Sequence, residues 1–521
     1  MVRSVGVPAE APAARHGGRS LALGVLCTVL FLTFLDNTVV SVALGQVYGD
    51  LHASPTELQW VVGAYALTFA SLMLACGMIG DELGRKKVML AGAGVFCAGS
   101  VLCALAPNVQ MLIAGRAVMG MGAAASEPGT LSMLRHLYPE AKARSRAIGI
   151  WAATSGFALA AGPLIGGVLI GVWNWRGIFW FNLAFGLAAL VIAVVILPES
   201  ADPTAARVDT AGTFLGAGAL AAFAFAIIDS ESAGFASTEV IALLCASAVL
   251  VVAFAWRERR AAHPLLDLHF LRLPQFTTPN IVAFCIYFAT FAIFFFTALY
   301  LIIVVGASGF RLALVFLPMT VLMIVASVLA GRWTAIVGPR WSITIGCLLL
   351  AIGLIPANGY LSPHPSYGPL VAVLALAGIG IGTAIVPVTS SVLSAVPPER
   401  SGMAASATNT SREIGTVTGV AILGSLMFSQ IFANLTTQMN HLHVPAIYRG
   451  FVFSAIETGN LSEPKGLPPG LEKLLQELSG VANTAFHDGL RAVLYLSAGL
   501  ALAAALLALI TLRSRPADAE S

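Results

Sequence analysis

The chain is 521 residues long, 58% of them apolar and only 10% charged, with a net charge of +3 at pH 7 and a mean hydropathy of +0.87. About a quarter of the residues in an ordinary soluble chain are charged, so soluble multidomain enzymes, nucleic-acid binders and secreted disulfide scaffolds are excluded. The apolar runs are continuous rather than alternating, which favours spanning helices over a membrane barrel.

Runs of about 18 or more apolar residues, bounded by charged or Pro/Gly-rich breaks, predict an all-α, polytopic membrane protein. In chain order the expected spans are 21–44, 58–80, 88–106, 109–131, 147–171, 177–197, 211–229, 238–256, 276–304, 311–331, 341–359, 369–392, 403–428 and 490–512. The first run is too long for the apolar core of a cleaved signal peptide. Lys and Arg collect in alternate connections, such as Arg85, Lys86 and Lys87 after the second run and Arg257, Arg259 and Arg260 after the eighth. That bias places both termini in the cytoplasm. A long outer loop is expected at 431–489, with Leu471, Leu474, Leu475 and Leu478 sharing one face of a short amphipathic helix.

The seven cysteines lie within apolar runs and form no C-x-x-C pair, and the nine histidines fall in expected loops or tails. Neither a disulfide framework nor a metal site is implied. No G-x-x-x-x-G-K-[ST] phosphate loop occurs, so ATP is not the expected energy source.

An internal repeat divides the chain. Gly77 and Gly84 after the second span are matched by Gly331 and Gly338 after the tenth, and Gly162 and Gly166 in the fifth by Gly415 and Gly419 in the thirteenth. The expected organisation is a tail (1–20), a six-helix half (21–200), two inserted helices with their linker (201–270), a second six-helix half (271–513) and a tail (514–521).

Five ionisable residues remain within the spans: Asp36, Arg116, Glu127, Arg412 and Glu413. Each costs about 2.5–3.5 kcal/mol at mid-helix on insertion scales, so they must be paired, hydrated or proton-bound. Asp36 and Arg116 lie at similar depths, which permits a pair. Arg116, Gly120, Ala123 and Glu127 share one face of the fourth span, as expected of a cavity wall or a tight helix contact. Asp36 and Glu127 are candidates to carry or relay a proton, with Arg116 tuning the carboxylate it faces; the alternative is a fixed structural ion pair. Asn37, Asn409, Arg412 and Glu413 are candidates to line a cavity. An aromatic stripe at Phe284, Phe288, Phe291 and Phe295 serves either packing or, at Phe291 and Phe295, stacking on flat or cationic compounds.

The segment GMIGDELGRKK at Gly77–Lys87 is similar to the loop signature G-x-L-a-D-r-x-G-r-k of the major facilitator superfamily, with Glu82 where a basic residue is usual. LDNTVVSVAL (35–44), LIAGRAVMGMGAA (112–124, with Met119 where Gln is common), AGPLIGG (161–167), WRGIFWFN (175–182) and PERSGMAASATNTSREIG (398–415) also resemble that family. They resemble its fourteen-helix drug/proton antiporters in particular. The resemblance implies two six-helix halves plus two inserted helices and alternating access. It implies export of hydrophobic, cationic or aromatic drugs or toxic metabolites across a bacterial plasma membrane. It also implies a proton gradient as the driving force, no cofactor, and action as a monomer on small molecules within the lipid bilayer. Gly77, Asp81, Gly84, Arg85 and Lys86 would form a conformational latch, and Gly162, Pro163, Gly166 and Gly167 the exporter motif of the fifth helix. A carrier of one metabolite, peptide or lipid, or a non-transporting sensor, are the rival readings.

Overall fold

The computed structural model describes residues 16–199, 209–261, 264–307, 309–362, 365–397, 400–441 and 469–513. Among the described residues fourteen long helices carry the fold: α1 His16–Leu51, α2 Pro55–Leu83, α3 Arg85–Ala104, α4 Val109–Leu137, α5 Ala141–Val172, α6 Arg176–Ile196, α7 Thr210–Ala233 and α8 Thr238–Arg260. They continue with α9, a rod of Pro274–Phe291, a π-helical turn Ala292–Thr297 and Ala298–Ile303, then α10 Gly309–Val337, α11 Pro339–Tyr360, α12 Tyr367–Ser394, α13 Ser401–His441 and α14 Pro469–Thr511. Each expected span has its helix. Among the described residues, eleven helices are long and apolar enough to cross a membrane by the strictest reading of composition; α2, α4 and α5 match them in length.

Local chemistry sets the ends. Ser54 accepts from the Glu57 amide while Glu57 accepts from the Ser54 amide, a capping box that starts α2 behind Pro55. Asn108 caps α4 by accepting from the Met111 amide at 2.9 Å. A single residue, Gly84, turns α2 into α3 at φ 111°, and Gly338 turns α10 into α11 at φ 83°. These left-handed positions suit glycine, and they fall where the sequence repeat aligns.

Packing obeys the same repeat. In the first half α1 packs on α4, α5 and α6, α2 on α4, and α3 on α4 and α6; adding eight to each number gives the packing of the second half. The glycine pairs explain why. A β-carbon on Gly162 would run into the Thr38 side chain and come 2.9 Å from the Val39 nitrogen, while one on Gly415 would meet the Phe284 backbone. Small residues thus let α5 touch α1 and α13 touch α9 backbone to backbone. The halves meet along two seams, α2 against α13 and α5 against α10. The inserted α7 lies against both α2 and α13, and α8 packs outside α7.

The Asp209 carboxylate accepts from Arg257 Nε at 3.0 Å and from the Gly212 amide at 3.0 Å, closing the basic end of the α7–α8 pair. Burial opposes ionisation of Asp209, but these bonds outweigh it and hold the carboxyl below the ordinary aspartate range. The stabilisation is complete above the unfolded-state value and disappears as pH falls through the lower folded-state one. The protection of the Thr210–Thr213 amides, relative to their intrinsic exchange at each pH, is therefore expected to fall below about pH 4 and to stay constant between pH 5 and 8; hydrogen exchange on the solubilised chain, corrected for the intrinsic rate, checks this.

Two expectations need correction. The loop set at 431–489 is shorter, because α13 continues to His441 and α14 begins at Pro469. These extensions are polar enough to leave the bilayer yet keep helical residue types, so hydropathy alone ended the helices too early. The leucine stretch at 471–478 belongs to α14, and its side chains lie outside the described residues. Four histidines expected in loops or tails, His16, His136, His441 and His487, lie in helices; His487 is half-buried in α14, with Nε2 3.3 Å from Asn358 Nδ2.

Candidate functional site

All five membrane-embedded ionisable residues are at most 1% exposed. Asp36, midway along α1, accepts from Arg116 Nη1 of α4 and from Asn182 Nδ2 of α6, the latter at 2.7 Å. Arg116 also donates through Nε to the Val61 carbonyl at 2.9 Å, and its guanidinium lies 4.5 Å from the Tyr65 ring centre. Tyr65 is itself held by its hydroxyl, which donates to the Thr33 carbonyl at 2.9 Å. Both Asp36 oxygens are occupied. The pair expected from depth is present, wholly within the first half, with Asn182 as a third member the spacing could not reveal.

Glu127 is not part of that pair. Its Oε1 accepts from Asn409 Nδ2 of α13, across the two halves, and its Oε2 has no partner among the described residues. Asn409 in turn accepts from Arg412 Nη1 at 3.0 Å, and Arg412 Nη2 donates to Thr389 Oγ1 of α12 at 2.5 Å. The Arg412 guanidinium also lies 5.4 Å from the Tyr287 ring and 5.8 Å from that of Phe34. Glu413 points elsewhere, as adjacent helical residues must. Its Oε1 accepts from Asn37 Nδ2 at 3.0 Å, again across the halves, and its Oε2 has no partner among the described residues. The result is a reciprocal exchange: each half offers an asparagine amide to a glutamate of the other.

Beside Asn37 lies a narrow cavity of about 20 Å³, bounded by Asn37, Thr38 and Ser41 of α1, Tyr287, Thr290, Phe291 and Phe294 of α9, and Thr416 of α13. Its wall is hydroxyl, amide and aromatic, without a formal charge. The aromatic stripe divides. Phe284 and Phe288 present backbone to Gly415 and Gly419, whereas Phe291 faces the cavity. Phe295, a cavity candidate by spacing, stands behind Phe291 with ring centres 5.0 Å apart, and Phe294 takes the wall position instead. The π-helical turn at Ala292–Thr297 adds to the rotation between them. Gly120 serves the tight contact rather than the cavity: a β-carbon there would strike the Tyr65 carbonyl of α2.

In the loop after α2, the described contacts of Lys86 run within the first half. Lys86 Nζ donates to the Val194 carbonyl at 2.7 Å near the end of α6, and the Lys86 amide donates to Glu199 at 3.1 Å. These bonds place a cation at one helix C-terminus and a carboxylate at another helix N-terminus, but both join α3 to α6 within one half. Gly77 does touch the other half, where an added β-carbon would sit 3.3 Å from Ser406 Oγ. The Asp81 and Pro163 side chains lie outside the described residues, and Gly167 is buried within α5.

The family model for the Major Facilitator Superfamily matches residues 26–420. The chain belongs to that superfamily. Among its relatives, the multidrug resistance protein Stp of Mycobacterium tuberculosis is 33% identical over 406 residues, covering 78% of this chain and 75% of Stp. The tetracenomycin C resistance and export protein of Streptomyces glaucescens is 29% identical over 518 residues, covering 98% and 94%. Among solved structures, an inward-facing bacterial homologue of the human lysosomal transporter Spinster aligns with TM-score 0.62 at 18% identity, over 96% of this chain and 98% of that one. This superfamily fold accounts for the two repeated halves; the α7–α8 pair stands outside the repeat.

Proposed function

We propose that this superfamily member is a proton-coupled exporter, not an enzyme, which moves hydrophobic cationic or aromatic compounds out of a bacterial cell by alternating access. It would sit in the plasma membrane as a monomer with both termini in the cytoplasm, driven by the proton gradient without a cofactor. The relatives named for drug resistance and for export support the substrate class. The observation that carries the coupling is Glu127: a buried carboxylate at the boundary of the halves, held on one oxygen by the opposite half's Asn409 and open on the other.

Protonating Glu127 removes the charge that draws the Asn409 amide and lowers the cost of its buried position. Proton occupancy and the joining of the halves are thereby linked. Asp36 has both oxygens engaged, so it and Arg116 form a fixed pair behind the exchange, while Asn37 and Phe291 line the cavity and Glu413, Asn409 and Arg412 complete the polar network beside it. In inverted vesicles, Glu127→Gln should abolish pH-gradient-driven dye uptake while keeping substrate counterflow, which needs no net proton movement. Full proton-driven uptake by this variant, at unchanged protein level and sensitive to a protonophore, would defeat the assignment.

A further inference from the structure

The repeat makes the two seams between the halves equivalent, α2 with α13 and α10 with α5, yet they are treated differently. Over the α2–α13 seam lies α7. Its Phe225 ring is 4.5 Å from that of Trp60 on α2, and Ala66 and Leu67 of α2, Ala224 of α7 and Val417 of α13 form one buried cluster. Ile228 of α7 packs with Ala421 of α13, and a β-carbon on Gly63 of α2 would rest 3.5 Å from Ile228 Cδ1. Three helices therefore interlock there.

At the α5–α10 seam a β-carbon on Gly156 would lie 3.0 Å from Ser327 Oγ, and Ser327 is buried with no hydrogen-bond partner for that oxygen among the described residues. Beside this contact, Phe157 is 44% and Val328 62% exposed. The described helices packed on both α5 and α10 are α1 and α12, which carry the cavity wall and Thr389. The cavity is one layer behind. Gly162 of α5 rests on Thr38, and Phe316 of α10 packs on Phe294 at 5.4 Å; Thr38 and Phe294 both line the cavity.

We propose that the inserted pair α7–α8 is a one-sided seal: it closes the α2–α13 seam to lipid, so that apolar compounds dissolved in the bilayer reach the cavity through the uncovered α5–α10 seam. The route rests on the export reading above; the seal does not. A lipid-dissolved substrate needs a lateral opening, and a seam made by two helices parts with less lost contact than one that a third helix, α7, also bridges with interlocked aromatic and aliphatic side chains.

The seal is tested on the unaltered chain in phosphatidylcholine vesicles with an apolar diazirine photoprobe, followed by mass spectrometry of the adducts. Adducts are expected at Ser327 and Phe157 and not at Ala66 or Val417; equal marking of the two seams overturns the seal. The route is tested with Val328→Trp and Phe157→Trp, which thicken the lip of the open seam. Efflux of a bilayer-partitioning dye should fall about fivefold or more, while that of a water-soluble substrate stays within about twofold. An equal effect on both substrates overturns the route. Failure of the unaltered chain to move any dye strikes the export reading, and the labelling contrast still decides the seal.

Discussion

Arg116→Ala is expected to destabilise the protein by about 3–5 kcal/mol, because it strands the Asp36 carboxylate in a site with no access to water. Asp36 would keep only the Asn182 amide, and the Tyr65 ring would face an empty space where the guanidinium now lies. The double variant Arg116→Ala, Asp36→Asn removes both charges and should recover a large part of the loss, since a neutral amide is far cheaper to bury than an unpaired ion. Thermal unfolding in detergent, followed by tryptophan fluorescence, distinguishes the two. A midpoint for the single variant equal to that of the unaltered chain would mean that the pair is not structural. Because Glu127 is held separately by Asn409, restored stability in the double variant is compatible with either loss or retention of transport, and the two readouts should be taken together.

Gly415→Ala and Gly162→Ala should each cost at least about 1–3 kcal/mol, although alanine favours helix elsewhere. At Gly415 the added carbon meets the Phe284 backbone, and at Gly162 it meets Thr38 and the Val39 nitrogen, so a rotamer change does not relieve the clash and one helix must move away from the other. Gly149, also within a helix, has nothing within 4 Å of an added carbon; Gly149→Ala should leave stability unchanged or raise it slightly. Melting temperatures of the three variants check the contrast. Similar values throughout would contradict the close packing of α1 with α5 and of α9 with α13.

The architecture was largely legible in the sequence because its signals are local. An uninterrupted apolar run has one way to satisfy its backbone in lipid, and Gly84 and Gly338, each ending a run 254 positions apart, betray the repeat without any tertiary information. The depth of Asp36 and Arg116 likewise followed from counting along two helices. What remained hidden depends on partners far apart in the chain. Asn182 approaches Asp36 across 146 positions and Asn409 approaches Glu127 across 282. No periodicity encodes such meetings. The Lys86 contacts were hidden for the same reason: a helix C-terminus attracts a cation, but which helix end lies nearby is a matter of packing. The helical extensions past the membrane escaped because hydropathy measures the solvent and not the backbone.

The π-helical turn in α9 has a mechanical consequence. Below it, the helix is indexed to α13 by Phe284 and Phe288 against Gly415 and Gly419; above it, Tyr300 is indexed to α14 by its contact with Phe486. A π turn accommodates one surplus residue, so the two ends of one rod keep registers that an ideal α-helix could not hold together. The surplus acts as a vernier. Phe291, on one side of the mismatch, and Phe294, within it, can both face the cavity only while that extra residue is taken up between the two fixed scales.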